Sequence, residues 1–134
     1  EHGATIGAAG NGRIASATRA DFAAAAAAVI TSADDQAGKV YELAGDTAYT
    51  LSELAAEISR QSGKPVVYKD LPQEDYARAL EGFGLPAPFA AMLAECDALA
   101  KDGALFDDSR TLGTLIGRPT TSLEAAVAAA LGKN

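Results

Sequence analysis

Apolar residues recur at helical spacing through most of the chain, and the first such segment has a readable start. Thr18 precedes it, and Asp21 stands three residues later, where a carboxylate can meet the free amides of a first helical turn. The spacing predicts a helix ending near Ile30. Its predicted buried face consists of Phe22, Ala25, Ala26, Val29 and Ile30.

Further helices are indicated along the rest of the chain. Thr50 with Glu53 forms a capping box, and that helix should end near Gly63. Four more helices are predicted. One begins at Pro72, and the next runs from Phe89 to Leu99 with Met92, Leu93 and Cys96 on the same apolar stripe. A shorter helix spans 109–116 before Gly117, and the last follows a second capping box of Thr121 with Glu124.

Three short segments have the composition of strands: 13–17, 40–44 and 66–68. With the intervening helices they predict the order strand, helix, strand, helix, strand. The fold class is therefore α/β, or α+β for the chain taken alone, rich in helix and with about three short strands. Sequence order leaves open whether the strands form one sheet or two small ribbons. The segment 97–108 is the predicted flexible loop.

The glycines at 7, 10 and 12 could belong to a phosphate-binding loop or to a tight turn. A phosphate loop must follow a strand and open directly into a helix, whereas here the strand-like segment 13–17 comes next. Asn11-Gly12 is a preferred hairpin dipeptide. The context therefore favours a hairpin over a phosphate loop.

Composition and charge restrict the class of protein. The chain has 134 residues, the length of one domain, and a formal net charge of −7, which opposes binding to nucleic acid or to anionic membrane. Alanine supplies much of the apolar fraction, which predicts closely packed helices. A single cysteine fits a reducing cytoplasm, and no apolar run has membrane-spanning length. Because the chain starts at Glu1 without an initiator Met, we expect a processed, trimmed or partially observed product.

Few residues suggest chemistry, and no catalytic residue is assigned. His2 is the only histidine and is expected on the terminal surface, and Cys96 is expected in the core. Asp107 and Asp108 resemble a carboxylate pair, but a helix cap by Asp108 is the simpler explanation. Glu42, Glu53 and Glu57 are interpreted as surface or capping acids. No metal site is predicted.

Arg19 and a set of apolar residues are the remaining candidates. Arg19 lies in the first helical turn after a strand-like segment, where it could hold a phosphate or carboxylate, or could be a solvated Arg beside Asp21. None of the four tyrosines precedes a Lys by four residues, so none is assigned as an acid. Phe83, Phe89, Met92 and Phe106 could line an apolar pocket or form core.

Several sequence strings resemble one family over nearly the whole chain. They are residues 6–10 (IGAAG), 13–21 (RIASATRAD), 38–46 (GKVYELAGD), 61–64 (QSGK), 84–86 (GLP), 105–109 (LFDDS) and 115–117 (LIG), ending near 119–121 (PTT). Together they resemble the C-terminal portion of NmrA-like atypical short-chain dehydrogenases, in particular the bacterial flavin-independent NAD(P)H:quinone oxidoreductases.

This resemblance implies that residues 1–134 are a single C-terminal, substrate-side domain. The parent protein would have an N-terminal NAD(P)-binding Rossmann domain, absent from this chain, and would transfer hydride from NADPH to a quinone without flavin or metal. The chain would form one wall of the cleft and be inactive alone. Arg19 is implied as an NADP contact, and Phe106 as a substrate-pocket residue.

Two alternatives remain open from the sequence. Some NmrA-like proteins are regulators that sense the dinucleotide and bind a protein partner without turnover, and the acidic surface would suit a basic partner. In addition, strands that pair with a Rossmann sheet in the parent would leave exposed edges here, which predicts homodimerisation or strand exchange.

Overall fold

The computed structural model describes residues 3–133, which form two compact units. Among the described residues, the first unit comprises 3–14 and 49–106, and the second comprises 15–48 and 107–133. Within the described residues there are two strands and six helices, so the predicted α/β, helix-rich fold class is confirmed. Their bounds are β1 Ala4–Gly7, α1 Arg19–Ile30, α2 Leu51–Ser62, β2 Val67–Asp70, α3 Gln73–Gly82, α4 Ala87–Lys101, α5 Thr111–Ile116 and α6 Leu123–Ala130.

The first unit is built on a two-stranded parallel sheet. β1 pairs with β2 in a register that places Ala4 opposite Val67 and Gly7 opposite Asp70. α2 packs against this sheet, and α3 and α4 pack on each other. The buried residues of this unit are small: Ala8, Ala9, Ala55, Ala90, Ala94 and Ala100. The expectation of closely packed helices is therefore confirmed here.

The helix α2 has the ends that its sequence predicts. The Thr50 side chain accepts from the amide of Glu53 at 3.2 Å, and the Glu53 carboxylate accepts from the amide of Thr50 at 2.7 Å. Gly63 ends the helix at φ 71°, a left-handed conformation that glycine adopts without steric cost. Both predicted signals of this helix are confirmed.

The second unit packs α1 against α5. Its buried residues are Ala15, Ala25, Ala48, Leu112 and Val127, together with the carboxylate of Asp21. Thr18 caps α1 as predicted, and Gly117 ends α5 at φ 67°. None of the helices within residues 3–133 combines the length and apolar composition needed to cross a bilayer.

The predicted strands are corrected in part. The strand predicted at 66–68 is present as β2, but β1 was missed, because its four residues offer too short a pattern. In 13–17 only Ile14 forms an isolated antiparallel bridge, with Tyr49, so the predicted strand is wrong. Segment 40–44 is also not a strand: its backbone has no paired neighbour among the described residues, and Val40 is 84% exposed.

The predicted buried faces of two helices are also wrong. α1 buries Asp21 and Ala25, whereas Ile30 is 82% exposed. α4 buries its alanines, and Cys96, expected in the core, is exposed. In both helices the small residues face inward because they allow a closer approach than large apolar side chains do. The larger residues are left outside.

Two helix starts and one loop differ from their predictions. α6 is capped by Ser122, which accepts from the amide of Ala125, rather than by Thr121. Asp108 does not cap α5; Arg110 stands at that position in a left-handed conformation, φ 56°. The loop predicted from residue 97 begins later, because α4 extends to Lys101.

Replacing Gly12 by Ala should destabilise the first unit strongly. A Cβ at Gly12 would lie 2.3 Å from the carbonyl oxygen of Ala100, which is backbone and cannot rotate away. We expect a loss of about 2 kcal/mol or more in the free energy of unfolding. Urea unfolding measures it. Gly82→Ala is the matched control, because a Cβ there meets nothing within 4 Å and should cost no stability. Equal midpoints for the two variants would contradict the close approach.

Candidate functional site

The glycine-rich segment 7–12 follows β1, and its backbone amides are already bonded within the first unit. Its Gly12 amide closes a turn on the carbonyl of Ala9 at 2.8 Å. Three successive amides bind side chains: Ala8 donates to Oδ2 of Asp97 at 2.9 Å, Ala9 to the hydroxyl of Tyr68 at 3.1 Å, and Gly10 to Oδ1 of Asp70 at 2.8 Å.

These contacts decide between the two interpretations of the segment. A phosphate loop needs free amides, but two of the three acceptors here are carboxylates, which also repel a phosphate. No helix follows directly, since α1 begins at Arg19. The hairpin is wrong as well, because β1 pairs in parallel with β2. The segment is a turn fixed by Asp97, Tyr68 and Asp70, and no sequence motif identified these three residues.

Tyr68 is held in its protonated form by the same contacts. Burial raises the pKa of Tyr68 to about 12, assisted by the hydrogen bond that its hydroxyl donates to Asp70 at 3.0 Å. Burial and the nearby Asp97 also raise the pKa of Tyr76. Neither hydroxyl is tuned for proton transfer near neutral pH, in agreement with leaving the tyrosines unassigned.

The second unit is organised around Asp21, whose side chain is 0% exposed. Oδ2 accepts from the Thr18 hydroxyl at 2.8 Å and from the Thr121 amide at 2.9 Å. Nη2 of Arg118 lies 2.8 Å from Oδ1. The sequence predicted contact with first-turn amides of α1, but this carboxylate instead joins the start of α1 to the segment 118–121.

The pKa of Asp21 is lowered despite its burial. Burial by itself favours the neutral acid and raises the pKa, but the bonds from Thr121, Thr18 and Arg118 outweigh it. Because the pKa of the folded state lies below the unfolded value of 3.8, the bonded carboxylate contributes stability above about pH 4. That contribution is lost as the pH falls through the folded pKa.

A second carboxylate, Asp46, holds the same segment. Its Oδ2 accepts from the Thr120 amide at 2.8 Å, and its own amide donates to the Thr120 hydroxyl at 2.8 Å. The neighbouring Gly113 has no room for a side chain, since a Cβ would lie 2.7 Å from Oδ1 of Asp46. The sequence offered only the Gly45-Asp46 pair after a strand-like segment as a signal for this contact.

Arg19 is exposed at the first residue of α1, in the second unit. Asp21 pairs with Arg118, and Arg19 is an exposed residue, which agrees with the alternative of a solvated Arg. An exposed guanidinium can also hold an anion, so the phosphate contact stays a prediction.

Phe106 is 47% exposed in the first unit, shortly after the end of α4. Its amide donates to the carbonyl of Gly103 at 3.0 Å, so the turn after α4 fixes its backbone. Other large apolar side chains of this unit are also exposed: Phe83, Phe89, Met92, Leu99 and Leu105. The first unit thus presents apolar side chains, Phe106 among them, to its surroundings.

The remaining candidate acids have structural roles. Glu53 caps α2, and Glu57 binds Arg60 and Gln61, which lower its pKa to about 2. Asp107 accepts from the amide and the hydroxyl of Ser109, and these bonds lower the pKa of Asp107. His2 lies outside the described residues. Within 3–133, no three His, Cys, Asp or Glu side chains cluster in a way that would hold a metal ion.

Replacing Asp21 by Asn should destabilise the protein by about 3 kcal/mol at pH 7, because the buried carboxylate loses its charge-assisted bonds from the Thr121 amide and the Thr18 hydroxyl, and a buried amide group takes its place. The difference from the unmodified chain should shrink below about pH 4, where the carboxylate of the unfolded state is protonated. Urea unfolding between pH 3 and pH 7 measures both effects. Asp75→Asn breaks an exposed pair with Arg78 and should cost under about 0.5 kcal/mol. A pH-independent difference would contradict the role of the Asp21 charge.

Comparison with known sequences supports a relationship that spans nearly the whole chain. The chain is 61% identical over 127 residues to quinone oxidoreductase 2 of Escherichia coli, covering 95% of this chain and 44% of that protein. It is 30% identical over 110 residues to NAD(P)H azoreductase of Xenophilus azovorans, covering 82% of this chain and 38% of that protein. The chain thus spans less than half the length of these relatives. No protein-family model matches it.

Solved structures give the same result. The NADPH-dependent quinone oxidoreductase of E. coli matches with a TM-score of 0.93 and 58% identity, over 97% of this chain and 47% of that one. Its complex with NADPH matches with the same TM-score, over 46% of its chain. Triphenylmethane reductase of Citrobacter sp. matches with a TM-score of 0.89 and 35% identity, covering 97% of this chain and 45% of that one. The resemblance stated from the sequence is confirmed.

Proposed function

We propose that this chain belongs to the family of the NmrA-like quinone oxidoreductases and is the substrate-side part of an NAD(P)H-dependent quinone oxidoreductase. The observation that carries the proposal is its 61% identity over 127 residues to such an enzyme. A structural match of TM-score 0.93 to an NADPH complex supports NADPH as the cofactor. The chain would form one wall of the cleft for quinone and nicotinamide.

The fit of NADPH to the described residues is partial. The turn at 7–12 does not fit a pyrophosphate, because Asp97, Tyr68 and Asp70 occupy its amides. We therefore assign pyrophosphate binding to an N-terminal Rossmann domain of the parent protein, outside these 134 residues. Arg19 fits a phosphate group, since its guanidinium is exposed and Asp21 is paired elsewhere.

The segment 40–44 supports a partner domain of this kind. Its sequence has strand-like composition, but among the described residues its backbone neither donates nor accepts a backbone hydrogen bond. An apolar groove of about 340 Å³ lies beside it in the second unit, lined by side chains that include Phe22, Ile30, Tyr41, Leu43 and Leu115. A sheet edge of the parent would satisfy this backbone and cover the groove. The same edge makes homodimerisation or strand exchange the competing outcome in the isolated chain.

Phe106 is proposed to contact the acceptor. Its half-exposed ring can lie against a planar aromatic molecule. The relatives act, by their names, on quinones, azo compounds and triphenylmethane dyes, all of which are conjugated acceptors. We therefore propose a conjugated aromatic acceptor as the substrate class, with quinone as its principal member.

Bound NADPH would supply a hydride, and the quinone would take that hydride and one proton to become a hydroquinone. The residues described here would bind and orient the reactants and exclude water. No side chain of the described part is assigned as the proton donor, and Tyr68 in particular retains its proton. Neither flavin nor metal enters this scheme. The regulatory alternative and the cytoplasmic location stay predictions.

The direct test is NADPH oxidation by the full-length parent protein in the presence of a simple benzoquinone. We expect quinone-dependent loss of absorbance at the NADPH band, with one hydroquinone formed per NADPH. A folded parent that binds NADPH without oxidising it would favour the regulatory alternative and overturn the proposal.

Arg19→Ala in the full-length parent should raise the KM for NADPH by about tenfold or more, because a charge-assisted phosphate contact is lost. The KM for quinone should stay unchanged, since Arg19 is assigned to the cofactor alone. Arg78→Ala removes a cation that lies on α3 and pairs with Asp75, so it serves as the control and should change neither constant. An unchanged KM for NADPH in the Arg19 variant would exclude the assignment.

A further inference from the structure

The glycine-rich segment 7–12, which we call the glycine turn, binds the C-terminal end of α4. Oδ2 of Asp97 accepts a hydrogen bond from the Ala8 amide at 2.9 Å. One helical turn further on, the side chain of Lys101 lies along the glycine turn, since a Cβ at Gly10 would be 3.2 Å from its Cε. Residues four apart share one face of a helix, so this face of α4 is held against the glycine turn.

A third contact involves the backbone at the helix end. A Cβ at Gly12 would be 2.3 Å from the carbonyl oxygen of Ala100, so a glycine is needed for the two segments to approach this closely. The same carbonyl accepts from the amide of Gly103 at 3.0 Å, and the carbonyl of Gly103 accepts from the amide of Phe106 at 3.0 Å. Two consecutive hydrogen bonds therefore connect the residue that contacts Gly12 with Phe106.

The glycine turn is itself fixed to the two-stranded sheet. It follows β1 directly, and two of its amides donate to side chains of β2. The Ala9 amide donates to the Tyr68 hydroxyl at 3.1 Å, and the Gly10 amide donates to Oδ1 of Asp70 at 2.8 Å. The end of α4 is therefore anchored to the sheet through the glycine turn.

The position of Phe106 depends on this anchoring. Its side chain is 47% exposed, so packing around the ring contributes little to holding it in place. Gly103 lies three residues before it in a left-handed conformation, φ 93°, and turns the chain after α4. The backbone that follows the helix end therefore sets where the ring lies, and the contacts of that helix end set the backbone.

We propose that Asp97 is a positioning residue for the acceptor: by binding the glycine turn, it fixes the end of α4 and thereby the place of the Phe106 ring. This inference rests on the proposed contact between Phe106 and the acceptor. A misplacement of about 1 Å can lower the rate of an enzyme by about a hundredfold, so a support of this kind matters for activity. The glycine turn, which does not fit a pyrophosphate, thus acts on the acceptor.

Backbone order parameters of the 134-residue chain, measured by NMR relaxation, test the anchoring. Asp97→Ala should lower the order parameters of the Gly103 and Phe106 amides from about 0.8 to below about 0.6, while those of α2 stay unchanged. Glu53→Ala is the matched control, because it removes another carboxylate–amide bond of the first unit, to Thr50, and should leave both amides ordered. Unchanged values in Asp97→Ala, or an equal loss of order throughout the first unit, would overturn the inference.

Steady-state kinetics of the full-length parent test the effect on the acceptor. Asp97→Ala should raise the KM for a simple benzoquinone by about fivefold to tenfold and the KM for NADPH by less than about twofold, because only the acceptor contact is displaced. Asp97→Asn should bring the KM for benzoquinone back to within about twofold, since its amide oxygen can still accept from the Ala8 amide. Equal rises in both KM values, or no rescue by Asn, would contradict the positioning role.

A double-mutant cycle asks whether Asp97 acts through Phe106. In a parent that already carries Phe106→Ala, the further change Asp97→Ala should alter the KM for benzoquinone by less than about twofold, because the ring that Asp97 positions is gone. If the two effects multiply instead, Asp97 acts independently of Phe106 and the inference is wrong.

This inference and the proposed function fail separately. If the unmodified parent reduces benzoquinone while Asp97→Ala leaves its KM unchanged, the inference fails and the proposed function stands. If the unmodified parent binds NADPH but reduces no quinone, the proposed function fails. The order parameters of the Gly103 and Phe106 amides then decide by themselves whether Asp97 positions Phe106.

Discussion

Close approach of backbone segments at small residues is the constraint on which both units depend. In the first unit, Gly12 lies against the backbone of Ala100. In the second, a Cβ at Gly45 would lie 2.2 Å from the carbonyl oxygen of Ser16. The buried residues are mostly alanine. Because alanine has little surface to bury, each buried residue contributes less hydrophobic stabilisation than a leucine would.

Carboxylates supply much of the specificity that a larger core would otherwise provide. Asp97 and Asp70 fix the turn at 7–12, and Asp21 and Asp46 fix the segment 118–121. Each accepts a hydrogen bond from a backbone amide that is distant in the sequence, so each bond closes a long loop. A charge-assisted bond of this kind is stronger and more directional than an apolar contact. This accounts for an acidic chain in which several acids are part of the fold.

The same arrangement leaves the large apolar side chains outside. Where alanine forms the contacts between helices, residues such as Phe89, Met92 and Ile30 point away from them. Beside segment 40–44, large apolar side chains line the groove proposed to meet the parent sheet. There, the packing that stabilises the second unit also provides the surface for its proposed function.

The sequence by itself determined the helices, their main caps and the resemblance to quinone oxidoreductases. Thr50, Glu53 and Gly63 act through contacts within a few residues, so local chemistry is enough to place α2. That resemblance followed from strings spread along the chain. Only the tertiary structure decided which helix faces are buried, that Asp21 pairs with Arg118, and that the amides of the glycine turn are occupied by Asp97 and Asp70. These outcomes depend on residues far apart in the sequence, whose proximity no local pattern encodes. Segment 40–44 has strand-like composition, but a strand exists only when a neighbouring strand accepts its backbone hydrogen bonds.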